Sequence, residues 1–264
     1  IEDMPFIPVR LFKNIDLKSV VDNEVYKVLR SSGTGGDSSK IFLNKKNTKD
    51  QVDILSKISS SFLGKKRLPM LIIDSKTTTK NKNSYSARAA GINGFSIFGK
   101  TPTYALNEDM SINFEALNKF IENYGNKKFL IYGFTSIIWE SFINIGKQNE
   151  YNMSNGILLH GGGWKKLANK NITNIDFKKK ILESFGIKTV INYYGMVEQT
   201  GSIFFECKEG YFHTSIYSEI LIRDKNFNLL KSNMSGIIQL MSLVPTSYPG
   251  NSIITEDIGE IIGE

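Results

Sequence analysis

Apolar residues recur at helical spacing in four stretches of the chain, and short continuous apolar runs fall between them. Val52, Leu55, Ile58 and Phe62 share one face of a predicted helix that Asn47-Thr48 caps and Gly64 ends. Pro69-Met70-Leu71-Ile72-Ile73-Asp74 follows as a buried strand. Phe114, Leu117, Phe120, Ile121 and Tyr124 define a second helix, opened by Asn113 and stopped by Gly125. A strand over 129–133 comes next, then a third helix near 136–145 and a strand over 156–160 that runs into three glycines. Phe177, Ile181, Leu182 and Phe185 mark a fourth helix, started by Asn174 or Asp176 and closed by Gly186, with a strand over 189–193 after it.

Strands that are apolar throughout, alternating with helices, predict an α/β fold of mostly parallel sheets flanked by helices. The rhythm changes after residue 200. Residues 202–206, 219–223, 236–243 and 252–255 read as short strands joined by turn residues, an antiparallel β subdomain toward the C-terminus. Residues 1–200 are expected to form the α/β core and 201–264 a β-rich subdomain of the same unit. Thr77–Asn83 reads as a surface loop. No apolar run nears the roughly 18 residues that cross a bilayer, so no membrane span is expected.

Charge adds less than it first suggests. The net charge is +7, but all of the 33 basic residues are lysine except Arg10, Arg30, Arg67, Arg88 and Arg223. Surfaces that read bases favour the planar arginine fork. Abundant lysine, asparagine and isoleucine fit an AT-rich coding bias instead, and no nucleic-acid partner is expected. Cys207 is the only cysteine, which excludes an intramolecular disulfide and a cysteine cluster for zinc or iron–sulfur, and favours the cytoplasm. Histidine is limited to His160 and His213, and no G-x-S-x-G elbow is present.

Four segments carry candidate chemistry. Ser31-Ser32-Gly33-Thr34-Gly35-Gly36-Asp37-Ser38-Ser39-Lys40 offers backbone amides and hydroxyls of the kind a phosphate requires. It is not a Walker loop, because Ser38 stands where the second glycine is needed. Asn192-Tyr193-Tyr194-Gly195-Met196-Val197-Glu198-Gln199-Thr200-Gly201 follows a buried strand, at the carboxyl end where α/β sheets bind ligands. There tyrosine supplies a stacking face, glycine a tight turn and glutamate a hard oxygen ligand for magnesium. His160-Gly161-Gly162-Gly163-Trp164 also ends a strand, and Thr255-Glu256-Asp257-Ile258-Gly259-Glu260 places an aspartate between a β segment and a glycine. Each alone also describes an ordinary turn. Phe95, Ile97, Phe98, Phe134 and Trp139 are candidates to line an acyl tunnel, with plain core as the simpler reading.

In this order the four segments resemble the adenylate-forming superfamily, with its Ser/Thr/Gly phosphate loop, a later glycine pair, an N-x-Y-G-x-T-E element and a T-G-D-type element. Within it the chain is most similar to the acyl-protein synthetases (LuxE-like), through residues 5–13, 86–91, 160–166 and 194–199. Phenylacetate–CoA ligases share the Glu206-Cys207, Gly210 and His213 pattern. The resemblance implies ATP-dependent activation of a carboxylic acid, in particular a fatty acid, to an acyl-adenylate for transfer to a thiol, with ATP and Mg2+ as cofactors. The thiol is a protein cysteine or coenzyme A, and an acyl reductase is an implied partner.

Carried over by residue, Ser31, Ser32, Gly33, Thr34, Gly35 and Gly36 would wrap the β- and γ-phosphates. Gly161, Gly162 and Gly163 would approach the adenine, with Tyr194 against its ring and Gly195 beside it. Glu198 would hold magnesium and Asp257 the ribose hydroxyls. Val197 departs from the pattern, standing where a threonine contacts the α-phosphate; Thr200 or a backbone amide would substitute. Gly35-Gly36 replaces Thr-Gly and removes one hydroxyl. Cys207 follows the β-type run Ile203-Phe204-Phe205-Glu206 and would share a face with Ile203 and Phe205, so it reads as a buried structural residue; the family's C-terminal cap domain, which carries the acyl-accepting cysteine, is expected to be missing. Two other functions fit the same residues: an aryl- or acyl-CoA ligase of the phenylacetate–CoA ligase type, and a noncatalytic anion- or nucleic-acid-binding domain.

Overall fold

The computed structural model describes residues 3–31, 38–80, 86–149, 151–163 and 171–263. The chain folds as two compact units, one of residues 1–58, 195–204 and 213–264, the other of 59–194 and 205–212.

The second unit is built on a seven-stranded sheet. Gly99–Leu106, Leu68–Ser75, Phe129–Phe134, Gly156–Gly161 and Thr189–Tyr194 lie side by side in that order and pair in parallel. Phe204–Glu206 and Phe212–His213 complete it. Leu71, Ile131, Leu158 and Val190 stand opposite one another across four strands. The core packs there, with Leu117, Phe120, Phe142, Phe177, Ile181 and Phe185 from the helices. Helix Phe114–Tyr124 is capped as expected, the Ala116 N–H donating to Asn113 Oδ1 (2.9 Å).

Helix Asn174–Phe185 starts where the sequence placed it, but Thr173 caps it, in a reciprocal box with Asp176, and Gly186 closes it at φ +71°. Leu182 points away from the core and is exposed. The third helix contains a π turn, Ile138–Phe142, between Thr135–Ile137 and Ile143–Asn149. The wider turn lets Ile138, Phe142 and Ile143 all reach the core.

Thr77–Lys80 is a helical turn rather than a loop, because Asp74 Oδ1 accepts from the Ser75 N–H (2.7 Å) and the Thr78 hydroxyl (2.6 Å); residues 81–83 lie outside the described residues. Phe95 is core, packed on the rings of Tyr132 and Tyr193, whereas Trp139 is partly buried and stacks on Phe177 at the core's edge.

In the first unit, Ile7–Pro8, Ser252–Gly259, Gly236–Ser242 and Ser218–Arg223 form a four-stranded sheet in that order. The last three are antiparallel, as the C-terminal pattern predicts, and Ile7–Pro8 adds in parallel. Lys27–Arg30 and Lys40–Leu43 make a separate antiparallel hairpin. Helix Lys45–Leu63 begins earlier than its apolar period suggests. The Asn47 N–H donates to Asn44 Oδ1 (2.8 Å), so Asn44 is the cap. Asn47 is fully buried; its amide donates to the Val244 carbonyl (2.7 Å), and its Oδ1 accepts from the Ser247 hydroxyl (2.9 Å). The inward face thus runs through Asn47, Gln51 and Ile58, which turns Val52 outward, 45% exposed. Among the described residues, no helix is long and apolar enough to cross a membrane.

Candidate active site

The candidate residues divide between the units: Ser31, Gly195, Glu198, Thr200 and Asp257 in the first, Gly161, Gly162, Gly163 and Tyr194 in the second. Ser32, Gly33, Thr34, Gly35, Gly36 and Trp164 lie outside the described residues.

In the first unit the glycine loop spans the Lys27–Arg30/Lys40–Leu43 hairpin. Its base is closed by two bonds, Ser31 N–H to the Ser39 carbonyl (3.1 Å) and Ser39 N–H to Ser31 Oγ (2.9 Å). The Ser31 side chain therefore serves the loop's footing.

Val197–Gln199 forms a single 3-10 turn. Glu198 on it is buried, with 5% of its surface exposed. Among the described residues, no hydrogen bond or ion pair engages its carboxylate. Its oxygens do not count among the sealed, unsatisfied polar atoms, so a largely buried side chain keeps its charged end open to an ion, a water or a ligand. Among the described residues no cluster of three metal-ligating side chains exists. Magnesium needs no such cluster, since it binds through one or two carboxylates and completes its shell with water and phosphate oxygens. The Thr200 hydroxyl donates to the Val197 carbonyl (3.0 Å), tying down the end of the turn.

The Thr255–Asp257 segment is not a terminal turn; it lies within the Ser252–Gly259 strand. Its register with the neighbouring strand slips, from Ile237 opposite Ile258 to Gln239 opposite Ile254. Thr255, Glu256 and Asp257 thus face Ile238 alone and bulge out of the ladder, a device that re-aims side chains. The Thr255 hydroxyl holds the bulge by donating to the Ile238 carbonyl (2.9 Å) and accepting from the Asp257 N–H (3.2 Å).

In the second unit, the glycines after His160 have different physical reasons. A methyl on Gly161 would sit 2.6 Å from the Tyr193 ring, and one on Gly162 would sit 2.1 Å from the Phe134 ring. Gly162 also has φ +90°, whereas Gly163, at φ +73°, faces open space. The protein's own aromatic rings require the first two glycines; Gly163 alone leaves room. Gly162→Ala is expected to cost about 2–4 kcal/mol, strain and clash together, and Gly163→Ala about 1 kcal/mol from strain alone. Urea unfolding of the two variants checks the difference.

Tyr194 ends its strand half-exposed, its ring 6.4 Å from Phe212. Tyr193 instead points inward, its hydroxyl 2.8 Å from that of Tyr132. Burial pushes its phenol up to about 12. A methyl on Gly91 would meet the Tyr132 hydroxyl at 2.1 Å, which explains the glycine in the 86–91 segment.

His160 is fully buried against the Phe177 ring. The Thr135 hydroxyl donates to the Gly161 carbonyl (3.0 Å), so His160 Nδ1, 3.0 Å from Thr135 Oγ1, is assigned as the donor between them. Burial chiefly, and the Lys178 charge secondarily, lower its pKa from 6.5 to about 3. The folded protein keeps His160 neutral while the unfolded chain protonates below 6.5, so stability falls as pH drops from about 6.5 toward 3. We expect this group to contribute about 1.4 kcal/mol per pH unit in that window, a component that His160→Gln removes from the denaturation profile.

Two ion pairs escape sequence inspection because their partners are far apart in the chain. Asp74, at a strand's carboxyl end, is buried and held by Arg88, whose Nε donates at 2.9 Å. Glu206 is buried and accepts from Lys178 Nζ (2.7 Å), Asn174 Nδ2 (2.6 Å) and the Asn192 N–H (3.3 Å). The only local signal was a charged residue inside or ending an apolar run.

Cys207, expected to be buried, falls one residue beyond the strand Phe204–Glu206 and is half-buried in a turn, its N–H donating to the Tyr211 carbonyl (2.8 Å). The alternation that favoured burial ends at Glu206. Cys207→Ser is expected to leave adenylate formation within about threefold of wild type, a change below 1 kcal/mol. Mass measurement after incubation with ATP, magnesium and a labelled fatty acid should find no acyl adduct on this residue.

The parallel sheet and the antiparallel C-terminal strands are shared with several solved structures. A 2-hydroxyisobutyryl-CoA ligase, solved with 2-HIB-AMP and CoA, superposes with a TM-score of 0.68 at 13% identity, covering 90% of this chain and 53% of that one. ATP-bound MatB from Rhodopseudomonas palustris gives 0.61 at 13% identity, covering 92% and 47%. The luciferase-like enzyme of the mealworm Zophobas morio gives 0.59 at 17% identity, covering 91% and 56%. This chain therefore spans about half the length of the solved structures it matches. Among curated proteins, none matches the sequence. The acyl-protein synthetase profile, LuxE, matches residues 1–264, and the chain belongs to that family.

Proposed function

We propose that the chain activates a carboxylic acid, a fatty acid foremost, to an acyl-adenylate at the expense of ATP, for transfer to a thiol. The observation that carries this reading is Glu198, 5% exposed beyond a strand end, whose carboxylate no described residue bonds. Family membership supports the acid-activating chemistry. The similarity to an ATP-bound ligase supports the nucleotide, and that to a ligase solved with an acyl-adenylate analogue and CoA supports the thiol.

In this proposal the substrate carboxylate attacks the α-phosphorus of ATP and pyrophosphate leaves. Magnesium, when bound, supplies charge neutralisation at the phosphate oxygens. Glu198 holds it. The family resemblance assigns Ser31, Ser32, Gly33, Thr34, Gly35 and Gly36 to the β- and γ-phosphates, where the leaving charge develops. Asp257, re-aimed by its bulge, accepts from the ribose hydroxyls. The family resemblance assigns Tyr194, Gly195 and the glycines 161–163 to the adenine; of those three glycines only Gly163 has open space before it. Thr200 steadies the turn where the family's α-phosphate threonine is Val197. The final acceptor is a protein cysteine, with coenzyme A the second reading because CoA is present in the similar ligase.

Titration calorimetry separates this function from anion binding by surface lysines. Mg-ATP binding is expected to require the metal and to survive added salt. Binding that needs no magnesium and falls steeply with log salt would instead mark a polyanion surface.

A further inference from the structure

The turn Tyr248-Pro249-Gly250 has no part in the functional reading above, yet it is moulded against the Glu198 turn. Gly250 has no room for a side chain: a methyl there would lie 2.8 Å from the Glu198 carbonyl oxygen and 2.3 Å from the Tyr248 ring. The Gln199 side chain donates to the Gly250 carbonyl (2.9 Å) and to the Leu240 carbonyl (3.0 Å), fastening the two turns together. The Gly250 N–H donates to the Tyr248 carbonyl (2.9 Å). Tyr248 is wholly buried, edge-on to Phe12 at 6.2 Å, and the adjacent Ser247 is bonded to the Phe42 carbonyl (2.9 Å) and to Asn47. The turn is therefore anchored to both the hairpin and the long helix of its unit.

The Tyr248 hydroxyl is sealed from solvent, and no described residue bonds it. A buried tyrosine hydroxyl normally finds a hydrogen-bond partner. The unpartnered acceptor at hand is Glu198. We propose that Tyr248 and Gly250 are positioning residues for Glu198: the glycine lets the turn close on the Glu198 backbone, and the phenol donates to and aims its carboxylate when the metal is bound. Such outer partners orient ligating carboxylates and are worth several-fold or more in metal affinity. The inference rests on the reading of Glu198 as the magnesium carboxylate.

The test is a magnesium titration at fixed ATP, read both by the rise in melting temperature and by pyrophosphate exchange. It compares wild type with Glu198→Gln, Tyr248→Phe and Gly250→Ala. Losing one hydrogen bond to the carboxylate should raise the half-saturating magnesium about fivefold in Tyr248→Phe, in both readouts, with exchange restored at high magnesium. Gly250→Ala should shift it the same way and also lower the melting temperature without metal. If Glu198→Gln shifts the magnesium requirement and Tyr248→Phe does not, the positioning role is wrong and the Glu198 reading stands. If Glu198→Gln itself leaves the requirement unchanged, the metal reading fails and takes this inference with it. Should Tyr248→Phe lack a cooperative melt, the Gly250→Ala titration decides, an unshifted requirement overturning the proposal.

Discussion

Glu198→Gln is expected to lower magnesium-dependent adenylation by a factor on the order of 10²–10³, comparable to removing one preorganised electrostatic group from an active site. The same change should leave the metal-free protein as stable as wild type, or more so. Glutamine is nearly isosteric and neutral, and it replaces a carboxylate, on a largely buried side chain, that no described residue bonds. Loss of activity with retained or raised stability is the signature of a group kept for function against the interest of the fold. Parallel exchange assays and thermal melts check it. Normal activity would remove Glu198 from the metal role, and a large drop in stability would make the carboxylate structural.

Asp257→Ala should weaken ATP binding about ten- to hundredfold, because a charge-assisted bond to a hydroxyl is worth on the order of 1.5–3 kcal/mol. The loss should appear in KM rather than kcat. Ribose hydrogen bonds are the same in ground and transition states, so they contribute uniform binding. The Thr255 hydroxyl bonds the bulge that carries Asp257, and those bonds do not involve the aspartate side chain. Reduced turnover at saturating ATP with unchanged KM would contradict the ribose assignment.

The parallel strands were legible because they are apolar on both faces, and the helices 114–124 and 174–185 because their caps and closing glycines are local. Helix 45–63 misled because its buried face is partly polar. Asn47 looks like a cap in sequence, but it is a core residue bonded to Val244 and Ser247, some two hundred positions away. The parallel pairing of Ile7–Pro8 with Ile253–Ile254 had no local signature either. At the candidate site, residue types could be read from the chain, but not their environments. Glycines that looked like ligand contacts at 161 and 162 are required by Tyr193 and Phe134. An aspartate expected between a β segment and a glycine lies in a bulge whose register only the neighbouring strand defines. The Tyr248–Gly250 turn carried no recognisable motif; its importance lies in what its missing side chain allows Glu198 and Gln199 to do.

The measurement that bears most directly on the proposed activity is carboxylate-dependent exchange of labelled pyrophosphate into ATP, run across a series of fatty acids with and without magnesium. Exchange reports reversible acyl-adenylate formation and needs no thiol acceptor. The proposal predicts exchange that requires both the acid and the metal, rises with a preferred chain length and is lost in Glu198→Gln. Mg-ATP binding without exchange for any carboxylic acid, in a protein shown to be folded, would contradict it.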